Sequence, residues 1–452
     1  MRSLLISGDR SGAGKTSITL AIAGLLAQDS PVQTYKVAMD YIDTSYLAGV
    51  TGRPSYNLDA FVQTPEETSG LFSYGAVGAE YGIVEGVRGL YEGVDALTDV
   101  GSAASVAKMF DLPVILVINA RSITRSAAAL VKGFAAFDPD IRIEGVILNN
   151  VMGERHIGKA TKAVEHYCGI PVLGAVPRRP EMELAMRHLG LVPYREGSDN
   201  AEFHERISFI TSVIGEYVDI DRIRETAQDR TPRPKVVCEM LTAPSIPTMR
   251  IAVAYDEAFN FYYGELTAVL RSLGAEVVHF SPIHDRLPDA DGYIFGGGYP
   301  ELFLEELEHN DAMREAVRET AENNVPIYAE CGGLMYLTRS LTLEAGWQGR
   351  DDRISCEMCG VFAGDTCMPV RKALGYVIGT ASLPSGDFAF RGHEFHYSGI
   401  SMDAGVHYAY RLSRGTGIQN GCDGALVHQT LGAYTHLMPV SSRSMLKSFF
   451  GL

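Results

Sequence analysis

The sequence is short of positive charge for its length. In its 452 residues, 39 lysines and arginines face 55 aspartates and glutamates, which gives a formal net charge of −16. This deficit argues against nucleic acid as a general partner, although a local basic pocket can still bind an anionic small molecule. Apolar runs long enough to span a membrane are missing, and so is the charged and apolar leader of a signal peptide. We therefore expect neither a nucleic-acid nor a membrane partner.

Cysteine is also scarce. Seven cysteines, an odd number scattered through a large chain, do not form a disulfide framework, so we expect a reducing cytoplasm. Cys356 and Cys359 have the spacing of a metal-ligand pair, with Cys367 nearby. One pair plus a third cysteine, without a fourth ligand at a regular spacing, favours ordinary packing over zinc or an iron–sulfur cluster.

Short apolar runs alternate with helix-length stretches in the first half of the chain. This alternation predicts a parallel sheet with helices on both faces, an α/β fold. Ligands of such sheets bind at the carboxyl ends of the strands. The predicted strands lie at residues 4–7, 34–38, 83–87, 113–118, 145–148 and 172–176.

The stretch GDRSGAGKT, residues 8–16, follows the first predicted strand and precedes a predicted helix. Gly12 and Gly14 let backbone N–H groups turn toward a phosphate, Lys15 brings a positive charge, and the Thr16 hydroxyl can hold magnesium. Counted from Gly8, the loop is one residue longer than the usual P-loop spacing. The strand–loop–helix context favours nucleotide binding over a plain glycine-rich turn.

Carboxylates follow two neighbouring predicted strands. Asp40 and Asp43 lie in the loop after the second strand and Glu85 ends the third. A carboxylate there can hold magnesium directly or through water, and an acid that ends an apolar strand is costly unless paired. The alternative for Asp43 is that it caps a helix starting at Thr44.

Two further polar residues in the first half have two interpretations each. Arg53 is either an anion clamp or a surface residue. Asn149 follows a predicted strand, where its amide is suited to reading a base edge, but asparagine is also a common turn former.

A proline-rich stretch at residues 229–249 predicts a linker between a domain at 1–228 and a domain at 250–452. Strand signals restart after it, which predicts a second α/β domain. These strands lie at residues 251–254, 277–280, 293–295 and 326–329.

The second half contains a candidate nucleophile. Cys331 lies where a predicted strand turns sharply into a helix, the arrangement that exposes a nucleophile in other hydrolases. The glycines of GGGYPE upstream, Gly297 and Gly298, can supply an oxyanion site. A lone cysteine is more often a buried small hydrophobe, but the flanking glycines reverse that preference. His436 is the candidate base, and His393 and His396 are the other histidines in reach.

These segments together resemble one family. The first half resembles the synthetase domain of cobyrinic acid a,c-diamide synthases, and more distantly dethiobiotin synthetase, in GDRSGAGKTSIT, KVAMDYID, TGRPSYNLD, VEGVRGLYEG, GVILNNV with ERH, and RHLGL. The second half resembles the class I glutamine amidotransferase domain of the same family in FNFYYGE, LGYV and RGHEFHYS, around the cysteine and its histidine.

The resemblance implies a reaction with two sites. ATP with Mg²⁺ converts a substrate carboxylate to an acyl phosphate, and glutamine supplies the ammonia that replaces the phosphate. Cys331 matches the nucleophile and His436 its base, and RGHEFHYS is assigned to structure or to the tetrapyrrole side. In the first domain the nucleotide and metal positions match Lys15, Thr16, Asp40 and Glu85, and the adenine position matches Asn149.

The resemblance also implies an anionic tetrapyrrole substrate, docked by local cations. The candidate cations are Arg53, Arg88, Arg187, His188 and, in the second domain, Arg391, and Asp43 is a further substrate-binding candidate. Cobyrinate enzymes usually read GPDYIDP and then histidine, where this chain has Ala38, Met39, Thr44 and Leu47, and their HLH is HLM here. These departures favour the archaeal branch that amidates nickel sirohydrochlorin on the way to the nickel coenzyme of methanogens. Cobyrinic acid, or both substrates, is the alternative.

Two other classes of function remain. A partition-type P-loop ATPase, a binding switch, shares a long glycine-rich loop but has no use for Cys331. In the other, the ATPase is retained and the second domain is a catalytically inactive module. A homodimer is compatible with the sequence.

Overall fold

The computed structural model describes residues 1–182, 186–187, 190–191, 194–197, 201–229, 241–244 and 246–452. The chain divides into two compact units, Met1–Glu239 and Met240–Leu452. Most of the predicted linker at 229–249 lies outside the described residues. None of the helices in these described ranges is both long and apolar enough to pass through a bilayer.

The first unit is built on the predicted parallel sheet. Its strands are β1 (Arg2–Gly8), β2 (Val32–Val37), β3 (Tyr56–Leu58), β4 (Tyr81–Glu85), β5 (Val114–Asn119), β6 (Ile143–Val151), β7 (Val172–Pro177), β8 (Met186–Arg187), β9 (Gly190–Leu191) and β10 (Gln228–Asp229). The main order is β3-β2-β4-β1-β5-β6-β7, all parallel, and β10 pairs antiparallel with the start of β1. The central strands are apolar because both faces of the sheet are covered.

Helices follow most of these strands. They are α1 (Lys15–Ala27), α2 (Tyr41–Thr51), α3 (Pro65–Ala76), α4 (Ala103–Met109), α5 (Arg125–Phe137), α6 (Gly153–Cys168), α7 (Tyr194–Gly197), α8 (Ala201–Tyr217) and α9 (Ile220–Thr226). Local sequence determines where α3 begins. Thr64 and Glu67 form a capping box, and Pro65 occupies the first turn, where its missing N–H has no helical partner to lose. The carboxyl ends of β1, β2 and β4 therefore meet at one edge, with the predicted nucleotide loop between β1 and α1.

The second unit has a parallel half and an antiparallel half. Its strands are β11 (Met249–Ala254), β12 (Phe259–Phe261), β13 (Ala275–Phe280), β14 (Gly292–Phe295), β15 (Gly297–Gly298), β16 (Ile327–Glu330), β17 (Ser340–Leu343), β18 (Ile354–Glu357), β19 (Gly364–Met368), β20 (Ala373–Leu383), β21 (Gly386–His396), β22 (Gly399–Met402), β23 (His407–Arg414), β24 (Cys422–Val427) and β25 (Thr430–Ala433). Its helices are α10 (Leu266–Ser272), α11 (Leu304–His309), α12 (Asp311–Glu322), α13 (Gly332–Leu337) and α14 (Arg443–Phe450).

The main sheet of this unit has the order β13-β11-β14-β16-β25-β24-β23-β20-β21. The strands from β13 to β25 are parallel, and those from β25 to β21 are antiparallel. A smaller sheet, β18-β17-β19-β22, adds to the same core. The parallel half confirms the predicted α/β fold, and the carboxyl end of β16 leads directly to Cys331.

Candidate active sites

The loop between β1 and α1 has the backbone that a phosphate-binding loop needs. Gly14 precedes α1 at φ +93°, in the left-handed region that glycine favours, and Gly12 lies at φ +74°. Lys15 is only 7% exposed, and its Nζ donates to the backbone oxygen of Arg10 at 3.5 Å. Burial and the neighbouring Lys36 lower the pKa of Lys15. A bound phosphate would supply the counter-charge that this ammonium group lacks.

Four side chains form a buried charged cluster beside this loop. The Thr16 hydroxyl donates to Glu85 Oε1 at 2.8 Å and lies 3.3 Å from Asp43 Oδ2. Lys36 Nζ donates to the same two oxygens, at 2.7 Å to Glu85 and 2.5 Å to Asp43. Burial alone would lower the pKa of Lys36, but the two carboxylates raise it, so the lysine stays charged. Buried charges are tolerated here because they are paired.

Asp40 caps a helix, and its predicted metal role stays a prediction. Its Oδ1 accepts the backbone N–H groups of Ile42 and Asp43, at 3.1 and 2.9 Å, and so caps α2. The helix therefore begins at Tyr41 with Asp40 as its cap, which overturns the alternative that Asp43 caps a helix starting at Thr44. Burial, then repulsion from Asp43, raises the pKa of Asp40 to about 7 despite the attraction of Lys36.

A divalent cation fits the charged cluster. Glu85 Oε2 is buried and has no hydrogen-bond partner among the described residues, and the Thr16 hydroxyl is adjacent. Burial raises the pKa of Glu85 against the attraction of Lys36, so a cation would relieve an unfavourable charge. In the described ranges no three His, Cys, Asp or Glu side chains are arranged around a common metal position. Magnesium here would therefore depend on Thr16, Asp43, Glu85 and the phosphates themselves.

Asn149 braces the loop. Its Nδ2 donates to the Ala13 carbonyl at 2.8 Å, and its Oδ1 accepts the N–H of Asn150 at 2.9 Å. A Cβ atom on Gly14 would lie 2.1 Å from the same Nδ2. Both ends of the amide are thus engaged within the chain, and its adenine-reading role stays a prediction.

Arg53 is not placed to dock a substrate at the carboxyl edge. Its Nε donates to Gln33 Oε1 at 3.2 Å, and its Nη2 donates to the carbonyls of Gly75 and Val77 at 3.1 and 2.8 Å. Gln33 is the second residue of β2, so these contacts lie at the amino ends of the strands. Arg53 instead ties the end of α3 to β2, and the prediction of an anion clamp is wrong.

The other docking candidates differ in how the structure places them. Arg88 is exposed at φ +49° just after β4, at the carboxyl edge. Arg187 belongs to β8, but its side chain and all of His188 lie outside the described residues. Arg391 lies in the middle of β21 in the second unit. Asp43 lies in the charged cluster, so among the cationic docking candidates whose side chains are described, Arg88 is the one at the predicted edge.

The second unit holds Cys331 in a strained turn. The residue follows β16 at φ +46° and ψ −99°, and α13 begins at the next residue. Non-glycine residues rarely adopt this backbone, and such strain concentrates at functional sites. Its N–H donates to the Ala433 carbonyl at 2.7 Å, and its side chain is 4% exposed. A strained strand-to-helix turn of this kind is the backbone expected around a nucleophile.

His436 links Cys331 to a carboxylate. The imidazole interacts electrostatically with the Cys331 side chain, and its Nδ1 lies 3.2 Å from Glu330 Oε2. Glu330 Oε1 accepts the N–H of Leu437 at 3.0 Å and the hydroxyl of Tyr328 at 2.8 Å. These bonds fix the orientation of the carboxylate. Nucleophile, base and orienting acid therefore form a chain of contacts.

The surroundings of His436 favour its charged form. Burial lowers the pKa of His436, but hydrogen bonds to Cys331 and Glu330 and attraction to both outweigh this and raise it to about 10. The imidazolium therefore persists at neutral pH, where it can stabilise a thiolate and later donate a proton to a leaving amine.

Neighbouring backbone and side-chain groups hold the segment around His436 in place. Its backbone pairs with that of His393 at 2.8 and 3.1 Å. Asp423 accepts the N–H groups of Tyr434 and Thr435 at 3.0 and 2.9 Å, and the ring of His396 stacks on Tyr434. Burial lowers the pKa of His393 to about 3 and that of His396 to about 4, so both are neutral at pH 7. The structure gives RGHEFHYS a supporting position.

The predicted oxyanion glycines lie against the nucleophile turn. A Cβ atom on Gly297 would lie 2.6 Å from His436 Cε1, and one on Gly332 would lie 3.0 Å from the amide nitrogen of Gly298. The N–H of Gly333 donates to the Gly296 carbonyl at 2.9 Å and fastens the two segments together. The two glycines therefore lie close to the cysteine and the histidine, and their assignment as an oxyanion site stays a prediction.

The cysteines of CEMC belong to the packed core. Burial raises the pKa of Cys356 to about 11 and that of Cys359 to about 12. Cys356 lies on β18, and both thiols are buried in the hydrophobic cluster of this unit. Thiols held neutral by apolar surroundings are poor metal ligands.

Sequence reasoning missed two residues that the geometry makes central. Lys36 lies in β2, and its pairing with two carboxylates is set by the tertiary fold. Glu330 directly precedes Cys331, and its contact with His436 joins residues that are distant in the chain. The available signal was the same in both cases: a charged residue inside an otherwise apolar strand must be paired.

Comparisons with known proteins agree with this geometry. Residues 4–192 match the model of the CobQ/CobB/MinD/ParA nucleotide binding domain, and residues 250–443 match that of the CobB/CobQ-like glutamine amidotransferase domain. The two matches coincide with the nucleotide loop and with the cysteine site.

Curated relatives match along nearly the whole chain. The cobyrinate a,c-diamide synthase of Methanosarcina acetivorans is 44% identical over 98% of this chain and 94% of its own length. The protein of the same name from Methanosarcina barkeri is 44% identical over the same shares. The Methanothermobacter thermautotrophicus protein of that name is 41% identical over 99% of this chain and 98% of its own.

Proposed function

The chain belongs to the cobyrinate a,c-diamide synthase family of glutamine-hydrolysing amide ligases, and we propose that it converts the a- and c-acetate groups of nickel sirohydrochlorin to amides with ATP and glutamine. The observation that carries the proposal is the pairing of functions: one unit holds a phosphate loop with a charged cluster, and the other holds a Cys–His–Glu arrangement.

Glutamine hydrolysis follows from the contacts of Cys331. The thiolate attacks the carboxamide carbon of glutamine, and the backbone N–H groups near Gly298 stabilise the oxyanion. The C–N bond breaks as the His436 imidazolium gives its proton to the departing ammonia. Water, deprotonated by the now neutral imidazole, then cleaves the thioester to glutamate and restores the thiolate. Glu330 keeps the imidazole oriented through both steps.

Carboxylate activation follows from the first unit. A substrate carboxylate oxygen attacks the terminal phosphorus of ATP, ADP leaves, and an acyl phosphate forms. Lys15 and the loop N–H groups bind the phosphates and offset their charge. Magnesium, held by Thr16 with Asp43 and Glu85, would supply further charge neutralisation. Ammonia then attacks the carbonyl carbon and expels phosphate, which leaves the amide.

The choice of nickel sirohydrochlorin is supported by the substrate loop. Ala38 lies at φ +72°, a region that favours glycine, at the position where cobyrinate enzymes usually have one. Leu47, at the position of their histidine, is fully buried on α2. This position therefore contributes packing here instead of a polar group for a substrate. Cobyrinic acid is the second candidate, because it gives the curated relatives their name.

A competition assay tests the proposal. The protein is incubated with ATP, Mg²⁺, glutamine and equal concentrations of nickel sirohydrochlorin and cobyrinic acid, and the products are weighed by mass spectrometry. We expect two amides on nickel sirohydrochlorin, formed at least about tenfold faster than on cobyrinic acid, since one lost polar contact costs about 1–2 kcal/mol. Preferential amidation of cobyrinic acid would establish the second candidate. Amides on neither compound would refute the whole reaction.

A further inference from the structure

We propose that the tetrapyrrole ring binds in a pocket of the first unit, between α5 and the loop that follows β4. This inference rests on the proposed function, because it places the substrate of that reaction. The pocket encloses about 610 Å³, and its apolar wall consists of Tyr91, Leu130, Phe134 and Phe137. We call it the aromatic pocket.

The aromatic rings of this wall are held in a fixed arrangement. The Tyr91 ring stacks on Phe134 with centroids 5.6 Å apart and lies 4.7 Å from Phe137. The Tyr91 hydroxyl donates to the backbone oxygen of Phe134 at 2.6 Å, which fastens the loop to the helix. Phe137 is 73% exposed, a large apolar surface without cover in the isolated chain. A flat conjugated ring is the ligand that such a surface stacks best.

The aromatic pocket adjoins the phosphate loop. Asp9 and Gly89 are among its lining residues. The Leu90 N–H donates to the Gly8 carbonyl at 2.9 Å, and a Cβ atom on Gly89 would lie 3.3 Å from the Asp9 carbonyl oxygen. The carboxylate arms of a ring bound in the pocket would therefore lie at the same edge of the sheet as the phosphate loop. This is the geometry that transfer of a phosphoryl group to an acetate arm requires.

The charges at this edge suit a polycarboxylate. Exposed arginines follow the carboxyl ends of five strands, at Arg10, Arg88, Arg121, Arg155 and Arg178. The ends of β4, β1 and β5 are neighbours at about 4.8 Å spacing, so the first three arginines start from adjacent points. Arg10 is paired with Asp9, while Glu92 and Asp95 add negative charge to the pocket lining. We call these five arginines the arginine rim. In a chain of net charge −16, the rim provides a local positive charge that attracts an anion.

The backbone of Arg88 is a second indication that an anionic ligand binds at this edge. It keeps φ +49°, a backbone that arginine adopts at a cost, although glycine would adopt it freely. Strain of this kind persists where the side chain is needed at that place. Arg88 directly precedes Gly89 of the aromatic pocket, so its guanidinium can pair with a carboxylate arm of a ring seated there.

A pocket-filling variant tests the inference. Gly133 lies on α5 in the pocket wall, and a Cβ atom there meets nothing within 4 Å, so the side chain of Gly133→Phe starts in open space and should occupy part of the pocket. Gly158→Phe on α6, where a Cβ atom is equally free, is the matched control. Equilibrium binding of nickel sirohydrochlorin is followed by its absorbance change, independently of turnover. We expect Gly133→Phe to raise the Kd at least about tenfold and the control to leave it unchanged.

Arg88→Asn tests the charged rim separately, because asparagine tolerates the left-handed backbone better than other non-glycine residues. We expect a higher Kd and a weaker dependence of binding on salt concentration. An unchanged Kd in both Gly133→Phe and Arg88→Asn would overturn the inference. If Gly133→Phe changed only the KM for ATP, the pocket would be a binding site for the nucleotide base, and the inference would be overturned. If the variant changed only dimer formation in sedimentation, the pocket would be an interface between copies, which would also overturn it. Failure of the wild type to form diamides while it still binds the ring would refute the proposed function and leave the pocket supported.

Discussion

At the scale of single residues, the proposed hydrolysis of glutamine depends most on Glu330, which directly precedes the proposed nucleophile Cys331. It contacts His436 at 3.2 Å and receives two hydrogen bonds that fix its carboxylate. Neither its type nor its spacing from His436 marks it as catalytic in the sequence. Cys331 and His436 were predictable because a sharp strand exit and flanking glycines have a known chemical use. The role of Glu330 was not predictable, because its contact with His436 depends on the pairing of β16 with β25, the strand that leads to His436.

Glu330→Gln should reduce glutaminase activity by about 10²- to 10⁴-fold, since the base loses its orienting partner. The variant should also shift the pH profile. Against the lowering effect of burial, Cys331 and Glu330 together raise the pKa of His436 to about 10, so in the wild type the imidazolium is lost only as the pH rises through that value. Without the carboxylate the alkaline limb should move to lower pH. The measurement is glutamate release between pH 6 and 10.5, with Glu344→Gln on the same unit as the matched control. A lower rate with an unmoved limb would mean that Glu330 is only structural.

Glu265 makes stability depend on pH in the opposite sense from most acids. Both of its carboxylate oxygens are buried with no hydrogen-bond partner among the described residues, and burial raises its pKa to about 8. The folded chain therefore keeps it protonated while the unfolded chain ionises near its ordinary value. Stability is lost as the pH rises between about 4.5 and 8.

Glu265→Gln should remove this loss. Relative to wild type, we expect the variant to gain on the order of a few kcal/mol at pH 8.5 and much less at pH 5. The measurement is the urea midpoint of the transition of the second unit at the two pH values. An equal difference at both pH values would show that ionisation of Glu265 is not responsible.

At the scale of elements, the phosphate loop and the helices around it were largely predictable. The strand–loop–helix order, glycine positions and apolar strand runs all follow from local sequence. Two corrections concern single side chains: a tertiary contact engages Arg53 at the opposite edge, and Asp40 instead of Asp43 caps α2. The antiparallel strands from β20 to β24 were not predicted, because their half-buried alternation is a weaker signal than continuous apolar runs.

Gly14→Ala should impair nucleotide binding. The new Cβ atom would lie 2.1 Å from Asn149 Nδ2 and would sit at φ +93°, so the loop must shift or strain by about 1–2 kcal/mol. We expect the KM for ATP to rise about tenfold or more. Gly24→Ala on the same helix, whose Cβ atom would meet Val50 at an ordinary 3.6 Å, is the control and should leave it unchanged. A normal KM for ATP in Gly14→Ala would contradict the assignment of this loop.

At the scale of the whole molecule, the two sites should be separable by chemistry. Cys331→Ala removes the source of ammonia but leaves the first unit intact. We expect it to form the diamide with ammonium chloride and ATP, and to form none with glutamine. Cys367→Ala, at a half-buried position in the same unit, should retain both activities. Diamide formation from glutamine by Cys331→Ala would exclude this cysteine as the nucleophile.

The central claim is that the amide nitrogen of glutamine ends in the tetrapyrrole at the expense of ATP. Its most direct test supplies the wild-type protein with glutamine labelled with ¹⁵N in the side-chain amide, ATP, Mg²⁺ and nickel sirohydrochlorin, and measures the isotope content of the product. The account predicts two ¹⁵N atoms per product molecule and two ADP molecules per product. ATP hydrolysis without ¹⁵N in the tetrapyrrole, as a partition-type ATPase would give, would contradict it.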